Sequence, residues 1–149
     1  MENPIKQIYN FNLKAGLLDS EYSDHLESSF LIEEALEGFD LSVLADFVKC
    51  NTDDPKDVSR TIVNLTTNEL SDVERLDKAC DAVVFAVGSM VKLGLNPAQI
   101  TKALNIVNQA NMAKLGCPRD EQGKLLKPDN FDELHAPESK LQKLLDERP

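Results

Sequence analysis

The sequence predicts an all-α protein, arranged as a four-helix-type bundle with short additional helices. Glycine is scarce, with 6 among 149 residues, and alternating β-branched runs are absent. Apolar residues instead recur in several segments at the helical spacing of about 3.6 residues. Hydrophobic residues make up 42% and charged residues 28%, which is typical of a globular chain. A chain of this length fits one domain, which we expect to span residues 1–149.

The first two predicted helices are bounded by proline and glycine. A helix over residues 4–14 has Pro4 at its entry, where the missing amide proton costs nothing. A second helix is predicted from about Ser20 to Glu37, and Gly38 is expected to stop it.

The middle of the chain combines two short segments with the longest helix. Segment 41–50 is apolar enough to pack, and residues 55–64 are expected to form a short helix. The longest helix is predicted over residues 69–94, where Ser71 and Glu74 have the spacing of a capping box.

The last third of the chain is predicted to hold one long helix, a loop and a short helix. Asn96 as the N-cap and Pro97 at the first position begin a helix that runs to about Leu115. Residues 116–137 are polar and are predicted to form a loop. Residues 138–146 are predicted to form a short terminal helix. We expect both to belong to the same bundle domain.

Composition excludes several classes of protein. The formal net charge of −10 disfavours a nucleic-acid polymer as partner, since phosphate backbones favour basic surfaces. The N-terminus lacks an apolar signal segment, and no apolar run is long enough to cross a membrane. Three cysteines without a CxxC pair suit a reducing compartment. We therefore expect a cytoplasmic protein that binds neither a membrane nor a nucleic-acid polymer.

Two aspartates stand beside the most apolar helical segment. Residues 82–87 are apolar all round, which predicts burial on every side. Asp81 directly precedes this segment, and Asp77 lies one turn earlier on the same face. Burying either carboxylate without compensation is costly, so a bound ligand is one explanation. The alternative is that both are exposed at a bundle edge or are paired with Lys78 or Arg75.

The second predicted helix adds a group of glutamates. Glu33, Glu34 and Glu37 can project two or three carboxylates to one side, although such clusters are often merely solvated. Two carboxylate clusters beside apolar residues suit a hard divalent cation, which indicates Mg²⁺ with Mn²⁺ as the alternative. A di-iron site is not indicated, because neither His25 nor His135 follows a glutamate by three positions.

The later part of the chain is basic. Residues 92–127 carry six basic and two acidic side chains. Lys114 lies in the last turn of a predicted helix, and Lys124 and Lys127 lie on the loop that follows. These lysines could hold the outer oxygens of a polyphosphate. The helix dipole and solubility are the alternative explanation.

The ordered motifs resemble those of the MazG-like group in the all-α NTP pyrophosphatase superfamily. That superfamily also includes dimeric dUTPases and phosphoribosyl-ATP pyrophosphohydrolases. The resemblance rests on FNLKAG at 11–16, EExxE at 33–37, DKACD at 77–81, NMAK at 111–114 and DxxGKxxK at 120–127.

This resemblance implies a Mg²⁺-dependent hydrolase that converts a (d)NTP to the (d)NMP and pyrophosphate, a reaction suited to nucleotide-pool cleaning. Glu33 would orient or deprotonate the attacking water. The metal would be held by carboxylates from two helices, namely Glu34, Glu37, Asp77 and Asp81. Many family members have glutamate where this chain has Lys78, and Asp77 would supply the missing carboxylate.

The resemblance also implies how the nucleotide is bound. Phosphate or sugar oxygens would be contacted by the basic end of the chain, namely Asn111, Lys114, Lys124 and Lys127. The base would be contacted by the first helix, through Phe11, Asn12 and Lys14, across a subunit boundary if the site is composite. A homodimer or a homotetramer is therefore expected.

Three other functions fit the same sequence. Phosphoribosyl-ATP pyrophosphohydrolysis in histidine biosynthesis would share the metal chemistry and differ in the substrate pocket. A non-catalytic helical module would use its acidic face to bind a basic partner. A nucleotide-sensing module would keep the metal-binding and phosphate-binding residues but would hydrolyse little nucleotide.

Overall fold

The computed structural model describes residues 3–16, 21–36, 41–66, 70–121 and 123–148. Over these ranges the chain is helical and contains no strand. One isolated antiparallel bridge joins Arg119 and Leu125. The expected all-α class is therefore confirmed.

The helices lie close to where capping residues and apolar spacing place them. Their bounds are α1 Pro4–Lys14, α2 Asp24–Leu36, α3 Leu41–Val48, α4 Pro55–Thr66, α5 Asp72–Lys92, α6 Pro97–Met112, α7 Phe131–Leu134 and α8 Glu138–Asp146. The start of the second helix, expected near Ser20, is instead at Asp24, because the Leu26 amide donates to Ser23 Oγ at 3.2 Å. Its expected end at Glu37 lies outside the described residues. The expected loop 116–137 contains the short α7.

Local hydrogen bonds explain why α5 and α6 begin where they do. The Ser71 amide donates to Glu74 Oε2 at 2.8 Å, and the Glu74 amide donates to Ser71 Oγ at 3.4 Å. At α6, the Gln99 amide donates to Asn96 Oδ1, and the Asn96 amide donates to Gln99 Oε1, both at 3.0 Å. Both N-terminal caps predicted from the sequence are thus confirmed.

The chain divides into two compact units, each described here by itself. The central unit is Glu21–Ala79, and the terminal unit combines Met1–Ser20 with Cys80–Pro149. In the central unit α4 packs against both α2 and α3. Its core is formed by Leu36, Ala45 and Val58, with partly buried apolar side chains around them. That residues 1–149 act as one domain stays a prediction.

In the terminal unit α6 packs against both α1 and α8. The Asn108 side-chain amide donates to the Pro4 carbonyl at 3.4 Å, so the start of α1 lies beside the C-terminal part of α6. Buried side chains that include Ile100, Phe131 and Leu144 form the core of this unit.

Helix α5 is the exception among the long helices. It belongs to none of the close helix pairs of the described chain, which are α2–α4, α1–α6, α3–α4 and α6–α8. Val83 is 58% exposed and Phe85 74% exposed. The expectation that residues 82–87 are buried on every side is therefore wrong for the described chain. The four-helix bundle, which requires such cover, stays a prediction.

None of the described helices alone combines the length and the apolar character needed to cross a membrane. Only α5 and α6 taken together pass that test, and they are bent by 114° relative to each other.

Candidate functional site

The basic residues after α6 come together around one aromatic ring in the terminal unit. Lys114 Nζ donates to Asn111 Oδ1 at 2.9 Å and lies 5.4 Å from the centre of the Phe131 ring. Lys127 Nζ lies 5.2 Å from the same ring centre. Two ammonium groups from different motifs therefore share one buried ring, an arrangement that the ring's negative faces favour. We call Asn111, Lys114, Lys127 and Phe131 the basic cluster.

A tight turn brings Lys127 to this ring. The Gly123 amide donates to the Asp120 carbonyl at 3.0 Å, and Gly123 has a φ of +82°, which glycine adopts without steric cost. The bridge between Arg119 and Leu125 then reverses the chain. Gly123 of the DxxGKxxK motif therefore has a structural role, because it forms the turn that brings Lys127 to the Phe131 ring.

Lys124 belongs to the same turn but is held differently. Its backbone amide donates to Asp120 Oδ1 at 3.0 Å, and its side chain is half-buried. Lys127 also forms an exposed ion pair with Asp132 at 3.4 Å. An exposed pair of this kind contributes little stability, so a stronger anion can displace Asp132.

The first-helix residues expected to contact the base lie further along α1. Phe11 and Asn12 are half-buried and Lys14 is exposed. The contact between Pro4 and Asn108 places the start of α1, rather than these residues, beside the end of α6 that leads to the basic cluster. Seven to ten residues of helix separate them from that contact, about 10–15 Å. Their contact with the base stays a prediction.

The expected metal ligands are described only in part. Asp77 and Asp81 are exposed and one turn apart on α5, and Glu33 is half-buried on α2. Glu37 and the side chain of Glu34 lie outside the described part of the chain. Within that part, no group of three or more His, Cys, Asp or Glu side chains could hold a metal ion.

Two of these carboxylates nevertheless suit magnesium chemistry. Mg²⁺ is usually held by one or two carboxylates together with waters and substrate phosphates. Asp77 and Asp81 offer two carboxylates at adjacent turns and are accessible to a phosphate-bound ion. Their exposure agrees with the alternative that both aspartates face solvent. The other form of that alternative, pairing with Arg75 or Lys78, is not observed in the described chain, where both cations bind Asp24 instead.

The ion pairs of Asp24 form the main charged interaction of the central unit. Asp24 is only 7% exposed, and Arg75 Nη2 and Nε donate to its Oδ2 at 3.0 and 3.2 Å. The guanidinium hydrogen bonds hold the pKa of Asp24 below its ordinary value. Lys78 Nζ lies 3.9 Å from Oδ1, and Arg75 stacks on the ring of Tyr22 at 4.7 Å. This network joins α2 to the start of α5.

The sequence offered no signal for this network. Asp24 lies in the first turn of α2, where an acidic residue is explained by the helix dipole alone. Its partner Arg75 is 51 residues away in the sequence. A local sequence pattern therefore cannot predict this ion pair.

Comparisons with protein-family models, with curated proteins and with solved structures found no match to this chain. The resemblance to the MazG-like group therefore depends on the ordered sequence motifs alone.

Proposed function

We propose that this chain is a Mg²⁺-dependent nucleoside triphosphate pyrophosphohydrolase of the MazG-like kind. The observation that carries the proposal is the basic cluster, in which Lys114 and Lys127 meet over Phe131 while Asn111 orients Lys114. The two lysines belong to separate motifs, and the sequence predicts phosphate binding for both.

The basic cluster is suited to the outer phosphates of a nucleotide. A triphosphate carries several negative charges, and ammonium groups form short charge-assisted hydrogen bonds with its oxygens. Lys114 is already oriented by its 2.9 Å bond to Asn111, so less side-chain freedom is lost on binding. Lys124, from the same turn, adds a third cation near the cluster in sequence.

The reaction adds water across the α–β phosphoanhydride and yields a monophosphate and pyrophosphate. When bound, Mg²⁺ would neutralise phosphate charge and favour ionisation of water. Glu33 would accept the proton that water loses. The carboxylates assigned to the metal remain Glu34, Glu37, Asp77 and Asp81.

The proposal includes an assembly of two or four copies in the cytoplasm. Phe11, Asn12 and Lys14 would contact the base, and their separation along α1 from the contact with α6 favours a site completed by another copy. Nucleotide-pool cleaning would be the corresponding biological role.

A pyrophosphate-release assay with Mg²⁺ over canonical and damaged (d)NTPs tests this function. Wild-type protein is expected to release pyrophosphate, whereas Asp81→Asn and Glu34→Gln are expected to lose most of that release. Asp146→Asn on α8, an exposed carboxylate outside the motifs, is the matched control and should retain it. Release that survives both Asp81→Asn and Glu34→Gln would overturn the carboxylate assignment.

The exposure of Asp77 and Asp81 favours one other function, the non-catalytic module with an acidic binding face. That module requires no convergence of carboxylates and no turnover. Absence of release from every triphosphate would support it, or the related nucleotide-sensing module if nucleotides still bind. Release from phosphoribosyl-ATP alone would identify the histidine-biosynthesis reaction instead.

A further inference from the structure

The central unit contains a polar cavity, lined by residues that follow α3 and by residues in the first two turns of α4. Its volume is about 390 Å³, within the range of small-molecule sites in proteins. The lining includes a thiol, two hydroxyls and three charged side chains, namely Cys50, Thr52, Thr61, Lys49, Asp57 and Arg60. None of these residues has a role in the function proposed above. We call this site the Cys50 cavity.

The end of α3 holds the Cys50 sulfur beside α4. Lys49 ends α3 with a φ of +57°, and the Cys50 amide then donates to the Ala45 carbonyl at 2.8 Å. The Cys50 side chain is half-buried and packs against the core of the central unit. Its Sγ lies 3.5 Å from Oγ1 of Thr61 on α4. The thiol is therefore fixed in the wall of the cavity.

Hydrogen bonds to the sulfur favour its ionised form. The Thr52 amide and the Thr61 hydroxyl both donate to Cys50, and they hold the pKa of its thiol below the ordinary value. The carboxylate of Asp57 has a weaker, opposite effect on this pKa. Because the thiolate is the nucleophile in cysteine chemistry, the lowered pKa makes Cys50 more reactive near neutral pH.

The other charges of the lining indicate which molecules would fit. Lys49 and Arg60 contribute positive charges, and Asp57 contributes a negative one. The Thr52 hydroxyl donates to Asp57 Oδ2 at 2.9 Å, which orients that carboxylate. A molecule that has both carboxylate and ammonium groups would find a charge of opposite sign for each of them. Amino acids and short peptides have this combination of groups.

We propose that the Cys50 cavity binds a small disulfide built from amino-acid units, and that Cys50 is the residue that this disulfide modifies. The inference goes beyond the proposed pyrophosphohydrolase, because it uses only residues of the central unit that have no part in that reaction.

The modification is a thiol–disulfide exchange. The Cys50 thiol loses its proton to water, and its sulfur attacks one sulfur of the bound disulfide. A new S–S bond forms to Cys50 as the original S–S bond breaks, and the other half leaves as a thiolate that takes up a proton. Cys50 is oxidised and the leaving half is reduced, so the disulfide itself is the oxidant.

Incubation with glutathione disulfide, followed by peptide mapping by mass spectrometry, measures the rate of modification at each cysteine. Cys50 is expected to react about tenfold faster than Cys80, although Cys80 is the more exposed of the two. Accessibility alone would give the reverse order. Modification of Cys50 no faster than that of Cys80 would overturn the proposal.

Charge variants test whether the cavity binds the disulfide before the exchange. Lys49→Gln and Arg60→Gln should each slow the reaction of Cys50 with glutathione disulfide about threefold, as loss of one exposed ion pair predicts. Neither should slow its reaction with bis(2-hydroxyethyl) disulfide, which is uncharged. Lys56→Gln is the matched control, because Lys56 is also on α4 but does not line the cavity. Circular dichroism verifies that the variants keep their helices.

Three results of this second experiment would overturn binding in the cavity. One is an unchanged rate with glutathione disulfide in both lining variants. Another is equal slowing by Lys56→Gln, which would mean that net charge alone attracts the disulfide. The third is equal slowing with the uncharged disulfide, which would mean that the substitutions alter the thiol itself.

Discussion

Replacing Lys114 with methionine is the sharpest perturbation of the basic cluster. Methionine keeps an unbranched side chain of similar length but removes the charge. The substitution removes the 2.9 Å bond to Asn111 and the cation–π contact with Phe131 at 5.4 Å. Packing around α6 should change little, because Lys114 follows the end of that helix and is half-buried.

The expected loss of nucleotide affinity can be worked from these contacts. A hydrogen bond to a charged group is worth about 1.5–3 kcal/mol, and a phosphate oxygen would be its acceptor in the complex. That free energy corresponds to a dissociation constant about 10- to 150-fold larger. The free protein should lose about 0.5–1 kcal/mol from the cation–π contact, which is smaller than the loss in binding.

Calorimetric titration with a non-hydrolysable triphosphate and Mg²⁺ measures this effect. Lys102→Met is the matched control, because Lys102 is on α6, carries the same charge and instead pairs with Glu147 at 3.1 Å. We expect Lys102→Met to bind within about threefold of wild type, as its exposed pair contributes little. Equal weakening by the two substitutions would show that only the net charge matters, and would refute a site at the basic cluster.

Three further predictions concern stability. Asn96→Ala removes one half of the reciprocal cap with Gln99 and should lower the unfolding free energy by about 1 kcal/mol, measured by urea denaturation. Val58→Ala removes two methyl groups from a fully buried position and should cost about 2 kcal/mol in the same assay, whereas truncating exposed Val43 should cost far less. Asp24 has a lowered pKa, so its contribution is complete above the ordinary aspartate pKa of about 4 and is lost as the pH falls through the folded value. The stability difference between wild type and Asp24→Asn should therefore shrink as the pH falls below about 4, and a difference independent of pH would contradict the ion pair with Arg75.

Helix boundaries were the most predictable part of the fold, because they depend on residues a few positions apart. Asn96 and Pro97 determine the start of α6 within one turn of chain, and Ser71 with Glu74 does the same for α5. The terminal helix predicted over 138–146 is confirmed as α8.

Burial was less predictable, because it depends on what covers a segment. The apolar run 82–87 predicted burial on every side, but the described chain leaves Val83 and Phe85 exposed. Periodicity identifies the face of a helix and gives no information on whether its partner lies in the same chain or in another.

The sequence named candidate site residues one by one and gave no information on their arrangement. The sequence indicated Lys114 and Lys127 as phosphate ligands, yet gave no role to Phe131, the ring on which both cations rest. The aromatic residue could have been noticed, since it follows the DxxGKxxK motif by only a few positions. The contact of Asp24 with Arg75 had no such local signal.

Product analysis by phosphorus NMR, with Mg²⁺ and a panel of (d)NTPs, tests the central claim most directly. We predict that wild-type protein forms nucleoside monophosphate and pyrophosphate in equal amounts, and that Asp81→Asn loses most of this activity. Orthophosphate with a nucleoside diphosphate as the products, or no product from any triphosphate, would contradict the proposed pyrophosphohydrolase.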